Sequence, residues 1–288
     1  MQITVTGTTG HLGRLVIEHL LARGVPAQDI VAIGRDSARL GPLAGLGVRT
    51  AVADYEDPSS LEAAFTGTDT LVLVSSSAVG KRIAQHTNAI RAAEQAGVQH
   101  IVYTSAPRAD TSPLVLAPEH KATEELLATS PIEATVLRNN WYNENYDQAL
   151  TQVAETGAYL ASTGTGKVAS ASRSDYAEAA AVVAATTLHR GETLELAGDT
   201  AWDGEELAAT AARVLGREVR YVAVSTDEHR RILLDAGLDE GLVGFLVALD
   251  ADIAAGLLDG PSTVLSSIIG HPTTTLEDTF RAHQRTTV

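Results

Sequence analysis

The sequence predicts an α/β protein: a doubly wound parallel sheet followed by a smaller, mainly helical C-terminal lobe. Three observations predict it. The first half alternates short β-branched runs with longer segments of helical period, the pattern of a parallel sheet covered by helices. A glycine-rich turn, TGTTGHLG at residues 6 to 13, lies between the first such run and the first such helix. Apolar residues make up 44% of the 288, enough for one large core or two smaller ones at roughly 100 to 200 residues per domain.

Taken in order, QITVT is the first strand, HLGRLVIEHLLARG the first helix and DIVAIG the second strand. DPSSLEAAFTG reads as a helix before the strand DTLVLVSS, and RIAQHTNAIRAAEQAG as the helix before HIVYTS. PEHKATEELLATS then leads into EATVLRN, so that, with VRTAVA as the strand after DIVAIG, six strands are complete by Asn139. Each helix closes near a glycine or serine, as helix ends do. Beyond it, DQALTQVAETG is a helix and the glycine-rich YLASTGTGKVASAS a loop or hairpin. SDYAEAAAVVAATTL is a helix and TLELAG a strand that returns to the sheet. The remainder, from residue 203, is mainly helical, with VRYVAVS as one strand. The expected division is a sheet domain over 1–140, to which the chain returns at 176–197, and a smaller discontinuous lobe within 141–288, mainly 141–175 and 198–288.

Composition excludes several classes of function. There is no cysteine, hence neither a disulfide framework nor a thiolate nucleophile, and the nine histidines lack metal-ligand spacing. No metal is expected. No basic and apolar leader opens the chain, and no apolar run approaches the ~20 residues that span a bilayer. The chain reads as cytoplasmic. With 36 acidic against 21 basic side chains the formal charge is −15, which repels phosphate backbones and argues against a nucleic-acid partner. Any anion must be met by a local site.

The glycine-rich turn supplies one. Gly7 can take the positive φ of the tight turn, Gly10 lets backbone approach a pyrophosphate, and Gly13 lets the helix pack close to the sheet. Thr8, Thr9, His11 and Leu12 complete the cradle, and the helix N-terminus presents free N–H groups. A purely structural strand-to-helix turn is the alternative. At the end of the second strand an acid would bond the ribose 2′-hydroxyl of NAD, but Arg35 stands there, a fork of donors suited to a 2′-phosphate. NADP(H) is therefore the expected cofactor; Asp36, one residue on, could cap a turn. Asp54, after the next strand, could accept from the adenine amino group. Ser75, Ser76 and Ser77 could line the adenosine ribose, with turn chemistry as their alternative.

With these residues placed, the chain resembles atypical short-chain dehydrogenase/reductases of the NmrA-like group, through TGTTGHLG, the IGR at 33 to 35, ADYED at 53 to 57 and SSSAVG at 75 to 80. YTSAPRADTSPLVLAPEHKATEELL, LRNNWYNENY, GTGKVASASRSDYAEAAA and IIGHPTTTLEDTF are similar to the type-2 NAD(P)H:quinone oxidoreductases. The resemblance implies a Rossmann-like domain, NADPH, and two-electron reduction of a quinone. It also implies that Asn139, Trp141 and Arg173 contact the cofactor or frame the substrate mouth; an ion pair with Asp175 would explain Arg173 equally well.

The usual short-chain dehydrogenase proton donor is absent: Lys121 is present, but Ala117 stands where Tyr-x-x-x-Lys would place the tyrosine. Ser105 occupies the place of the family's serine. A quinone relaxes the need, because the hydroquinone anion is weakly basic and takes its proton from water, leaving position as the main requirement. Trp141 and Tyr142 could wall a flat ring, with Asn140 and Asn143 as donors to a quinone oxygen, or the two aromatics could simply pack. His120 and Lys121 could orient the nicotinamide ribose or donate a proton, or could decorate the solvent face of their helix. The leading expectation is an NADPH-dependent quinone reductase. The alternatives are a reductase of ketones, imines or activated alkenes, and a non-catalytic NADP(H)-binding redox sensor. The helical C-terminal segment could serve as a lid or as the surface of a homodimer.

Overall fold

The structure, a computed structural model, describes residues 1–287. It divides into two compact units, the first made of residues 1–110, 116–139 and 173–196, the second of 111–115, 140–172 and 197 onward.

In the first unit seven strands run in parallel: β1 (Ile3–Val5), β2 (Ile30–Gly34), β3 (Arg49–Val52), β4 (Thr70–Leu73), β5 (His100–Ser105), β6 (Glu133–Asn139) and β8 (Thr193–Leu196). Their order is β3-β2-β1-β4-β5-β6-β8. This is the doubly wound, Rossmann-like sheet that the alternation predicts. Winding runs outward from β1 to β3 and then reverses to β4, and ligands of such sheets sit at the carboxyl ends of the strands beside that reversal.

Helix α1 (His11–Ala22) buries Leu12, Val16, Ile17 and Leu20, a stripe at helical spacing. Each such side chain contributes on the order of 1.5–3 kcal/mol when fully buried. It packs on α7 (Arg173–Ala185), which lies against β4, β5 and β6. Helices α2 (Ser37–Ala44), α3 (Pro58–Phe65), α4 (Arg82–Gln95) and α5 (Ala117–Thr129) complete the unit. Leu61, Phe65, Ile90, Ala93 and Leu127 from three of them form one core with Ile101 and Tyr103 of β5. Helix α3 starts where it does because Asp57 accepts from the Ser59 and Ser60 amides and Pro58 presets the first turn.

The second unit holds α6 (Asp147–Thr156), β7 (Ala158–Ala161), α8 (Gly204–Leu215), β9 (Arg220–Ala223), α9 (Thr226–Asp235), α10 (Glu240–Ala254), α11 (Val264–Ile269) and α12 (Leu276–Thr287). Leu150 and Val153 of α6, Leu207 and Val214 of α8 and Phe280 of α12 share its core. The loop or hairpin expected for 159–172 is corrected in part: β7 pairs in parallel with β9, Ala158 opposite Arg220, and Tyr159 stacks on Tyr221 at 5.7 Å. A parallel pair needs a crossover, and α8, started by the reciprocal Asp203–Glu206 capping box, lies within it. Among the described residues no helix is long and apolar enough to cross a membrane, and no group of three His, Asp or Glu side chains could hold a metal ion.

Candidate functional site

A cavity of about 460 Å³ opens in the first unit at the carboxyl ends of the strands flanking the reversal, lined from β1, β2, β3 and β4 and the segments that follow them. Its floor is the glycine-rich turn. Gly7 has φ +64, the left-handed region that glycine tolerates. A Cβ on Gly13 would stand 2.6 Å from the Gly7 carbonyl oxygen and 2.8 Å from that of Thr6, so α1 rests directly on the turn. The N-cap of α1 is Gly10, which brings no side chain to cap it, leaving the first-turn amides to an anion. Thr8 anchors this arrangement without facing the cavity: its amide and Oγ1 donate to the Ile33 carbonyl at 3.0 and 2.9 Å, and it is buried.

Thr9, Gly10, His11, Leu12 and Gly13 line the cavity, as do Arg35, Asp54, Ser75, Ser76, Ser77 and Arg173. Asp36 does not line it: its carboxylate accepts from the Ala38 amide at 2.9 Å as the N-cap of α2, which leaves no acid reading a ribose hydroxyl at this strand end. Arg173 was expected just outside its helix and is instead its first residue, with Asp175 in the first turn. Three lining residues escape sequence reasoning. Arg39, in the first turn of α2, donates to the Thr9 carbonyl at 2.6 Å. The Tyr55 hydroxyl, with one proton to give, lies 2.6 Å from Thr6 Oγ1 and 2.9 Å from the Val74 carbonyl, and burial keeps its phenol above its ordinary pKa. Gln85 accepts from Ser76 Oγ at 2.5 Å. The one available signal was a second arginine four residues after Arg35, in the segment that follows the second strand.

The cavity thus gathers Arg35, Arg39 and Arg173 in a chain whose formal charge is −15. A glycine cradle without room for a Cβ at Gly13, a helix N-terminus and local guanidinium groups together fit a dinucleotide phosphate.

The other candidate residues lie elsewhere. Asn139 ends β6, is buried, and has neither carboxamide atom partnered. His120 is inside the unit rather than on a solvent face: its Nδ1 is 2.8 Å from the Tyr103 hydroxyl. Burial, reinforced by Arg82 and His86, lowers its pKa to about 3, so no imidazolium is available at neutral pH. Lys121 is exposed and borders a second cavity, beside α5 and β6. Ser105 points to the side of the sheet that carries α5 and donates to Glu124 at 2.6 Å. Glu124 and Arg138, 12% and 11% exposed, form an ion pair at 2.6 Å, which takes Ser105 out of any triad.

Trp141, Asn140 and Tyr142 belong to the second unit. Trp141 packs against the core that holds Tyr146 and Leu150. Asn140 Nδ2 donates to the Leu258 carbonyl at 3.1 Å, while its Oδ1 is buried and unpartnered. Tyr142 bridges to Ala171. Asn143, expected as a donor to a quinone, is consumed internally: it donates to the Thr274 carbonyl and Thr279 Oγ1, both at 3.0 Å, and accepts from Ser170 at 2.6 Å.

The model of the NmrA-like family matches residues 1–253. The chain belongs to the NmrA-like family. This NmrA-like protein is 46% identical over 276 residues to quinone oxidoreductase 2 of Escherichia coli (strain K12), covering 96% of each chain. Its fold matches that of the NADPH-dependent quinone oxidoreductase QOR2 of Escherichia coli complexed with NADPH, with a TM-score of 0.94, 45% identity, and 99% of this chain and 100% of that one covered. The Citrobacter sp. triphenylmethane reductase complexed with NADP(H) superposes with a TM-score of 0.93 at 36% identity, over 98% of this chain and 100% of that one.

Proposed function

We propose that this protein is an NADPH-dependent quinone oxidoreductase. What carries the reading is the 46% identity to a quinone oxidoreductase over almost the whole of both chains, supported by a cavity whose chemistry suits a 2′-phosphorylated dinucleotide. The amides of the Gly7–Gly13 turn and the start of α1 would hold the pyrophosphate. Arg35, with Arg39 beside it, would take the 2′-phosphate; Asp54 the adenine amino group; and Ser75, Ser76 and Ser77 the adenosine ribose. NADPH supplies a hydride when bound. The protein's part is to orient, exclude water and leave the proton to solvent. That division of labour suits a chain with Ala117 in place of a phenol, Ser105 tied to Glu124 and His120 held neutral.

Acceptor contacts are assigned to Asn140 and Tyr142. Trp141, packed in its own core, is given no such contact. The reading includes membership of the short-chain dehydrogenase/reductases of atypical type and a cytoplasmic setting, where NADPH is maintained.

The test is calorimetric titration with NADPH and NADH, followed by absorbance assays of each with and without a simple benzoquinone. Quinone-dependent NADPH oxidation above background, and faster than with NADH, is the expected result. Tight binding without turnover across several quinones would overturn the catalytic reading in favour of a redox sensor.

A further inference from the structure

The segment between β4 and α4 forms one wall of the nucleotide cavity through Ser75, Ser76, Ser77 and Ala78. It belongs to no strand or helix, and side chains fasten it. Ser75 N–H donates to Thr104 Oγ1 at 2.9 Å. At the next residue both backbone groups are caught: Ser76 N–H donates to His86 Nε2 at 3.1 Å, and the Ser76 carbonyl accepts from Arg82 Nε at 2.7 Å. Arg82 and His86 are one turn apart on α4 and both are buried, so they reach the same residue from one helix face.

The direction of these bonds fixes the imidazole. A backbone amide can only donate, so Nε2 must be the unprotonated nitrogen and Nδ1 must carry the proton. Nδ1 is 2.9 Å from Thr123 Oγ1 of α5, and Thr123 passes its own proton to the Glu119 carbonyl at 2.9 Å. Each donor meets one acceptor along the line. Glu119 closes the frame, accepting from Arg82 at 3.1 Å and from the Gly80 amide at 3.0 Å. Tyr55 and Tyr103 pack edge-on to the ring at 6.0 and 5.5 Å, holding its plane. Burial and the Arg82 charge lower the His86 pKa to about 3, consistent with an acceptor nitrogen at neutral pH.

We propose that His86 is a positioning residue for the cofactor, fixing the Ser75–Ala78 wall by accepting the Ser76 amide proton at Nε2 while Arg82 holds the carbonyl of the same residue. The inference rests on reading the cavity as the NADPH site. It extends that reading to a residue that does not itself line the cavity, and it makes the location of one nitrogen atom the operative feature.

The experiment compares His86→Gln, whose side-chain oxygen reaches the Nε2 position, with His86→Asn, whose oxygen reaches only the Nδ1 position. NADPH affinity of the purified proteins is measured by calorimetry, together with thermal midpoints and steady-state constants with benzoquinone. His86→Asn should weaken NADPH about tenfold, and His86→Gln by less than about threefold. KM for NADPH should follow the affinity, with kcat at saturating NADPH within about twofold of wild type. A merely structural role for a buried polar side chain predicts equal losses in the two variants. Equal affinities in both, whether wild-type or weakened, would overturn the proposal. Should either variant fail to fold, amide hydrogen exchange of the wild type at acid pH serves instead: loss of protection confined to residues 74–80 as His86 protonates is expected, and unchanged protection there while His86 titrates by NMR would overturn it. Arg35→Ser separates the two readings: if it leaves NADPH affinity unchanged, the cavity assignment fails; if it weakens binding while the His86 variants are equal, only the His86 proposal fails.

Discussion

Replacing Gly13 by alanine sets two known effects against each other. Alanine in a helix is favoured over glycine by roughly 0.5–1 kcal/mol. At this position, however, the new methyl would stand 2.6 Å from the Gly7 oxygen, 2.7 Å from the Gly7 carbonyl carbon and 2.8 Å from the Thr6 oxygen. All three are backbone atoms, which cannot rotate away. Ordinary contact between such atoms begins near 3.5 Å, so α1 must lift by roughly 0.7 to 0.9 Å. Overpacking of this kind costs typically 1–3 kcal/mol, more than the propensity gain, so a net loss of about 1–2 kcal/mol is expected. The same lift carries the first-turn amides away from the cavity and should weaken NADPH at least about tenfold. Gly244 in α10 is the control: a Cβ there would meet nothing within 4 Å and no proline follows it, so Gly244→Ala should stabilise by roughly 0.5–1 kcal/mol. Urea unfolding gives the two stabilities and calorimetry the two affinities. If Gly13→Ala stabilises like Gly244→Ala and binds NADPH as wild type, the account of the turn is wrong.

Further outcomes follow from other parts of the first unit. Arg35→Asp should shift preference from NADPH towards NADH by about 10- to 100-fold in kcat/KM, the range of a charge-assisted contact at about 1.5–3 kcal/mol; unchanged preference would refute the 2′-phosphate role. Ser105→Ala should leave quinone reduction within about threefold of wild type, because the hydroxyl serves Glu124; a collapse of kcat would restore Ser105 to the chemistry. Arg138→Met should destabilise by about 3 kcal/mol by stranding Glu124, and adding Glu124→Gln should recover much of it, as urea midpoints will show. His86, His100 and His120 are held neutral, chiefly by burial, with pKa values of about 3, 4 and 3. Their unfolded forms take up protons near pH 6.5, so the folded state loses stability as pH falls from about 6.5 towards 4, by up to about 1.4 kcal/mol per histidine per pH unit. Equal urea midpoints at pH 7 and pH 5 would contradict this.

What the sequence made legible was what depends on neighbours in the chain. Period-2 and period-3.6 patterns located the strands and helices of the sheet, and the turn and Arg35 stood out because a strand end fixes their place. Tyr55 and Gln85 were not legible, since each reaches the cavity from a segment whose local pattern looks like ordinary solvent-facing polarity. The β7–β9 pair was missed for the same reason: Tyr159 meets Tyr221 only through a distant crossover. The solvent-face alternative for His120 fails because its partner Tyr103 comes from the strand beneath, which the charged pattern of its own helix does not reveal. Asn143 looked like a ligand-facing amide until Thr274, Thr279 and Ser170 claimed its hydrogen bonds.

The chain leaves the sheet after β6 and comes back only for α7 and β8. During synthesis from the N-terminus, α1 must therefore wait for α7, the helix it packs on most extensively, and Arg173 reaches the cavity at the same moment. Nascent chains ending anywhere between residues 140 and 172 would carry a glycine-rich turn and an Arg35 but an α1 without its helix partner. Competence to hold a dinucleotide should therefore appear late and abruptly along the ribosome, and a fragment cut at the end of β6 should aggregate rather than bind.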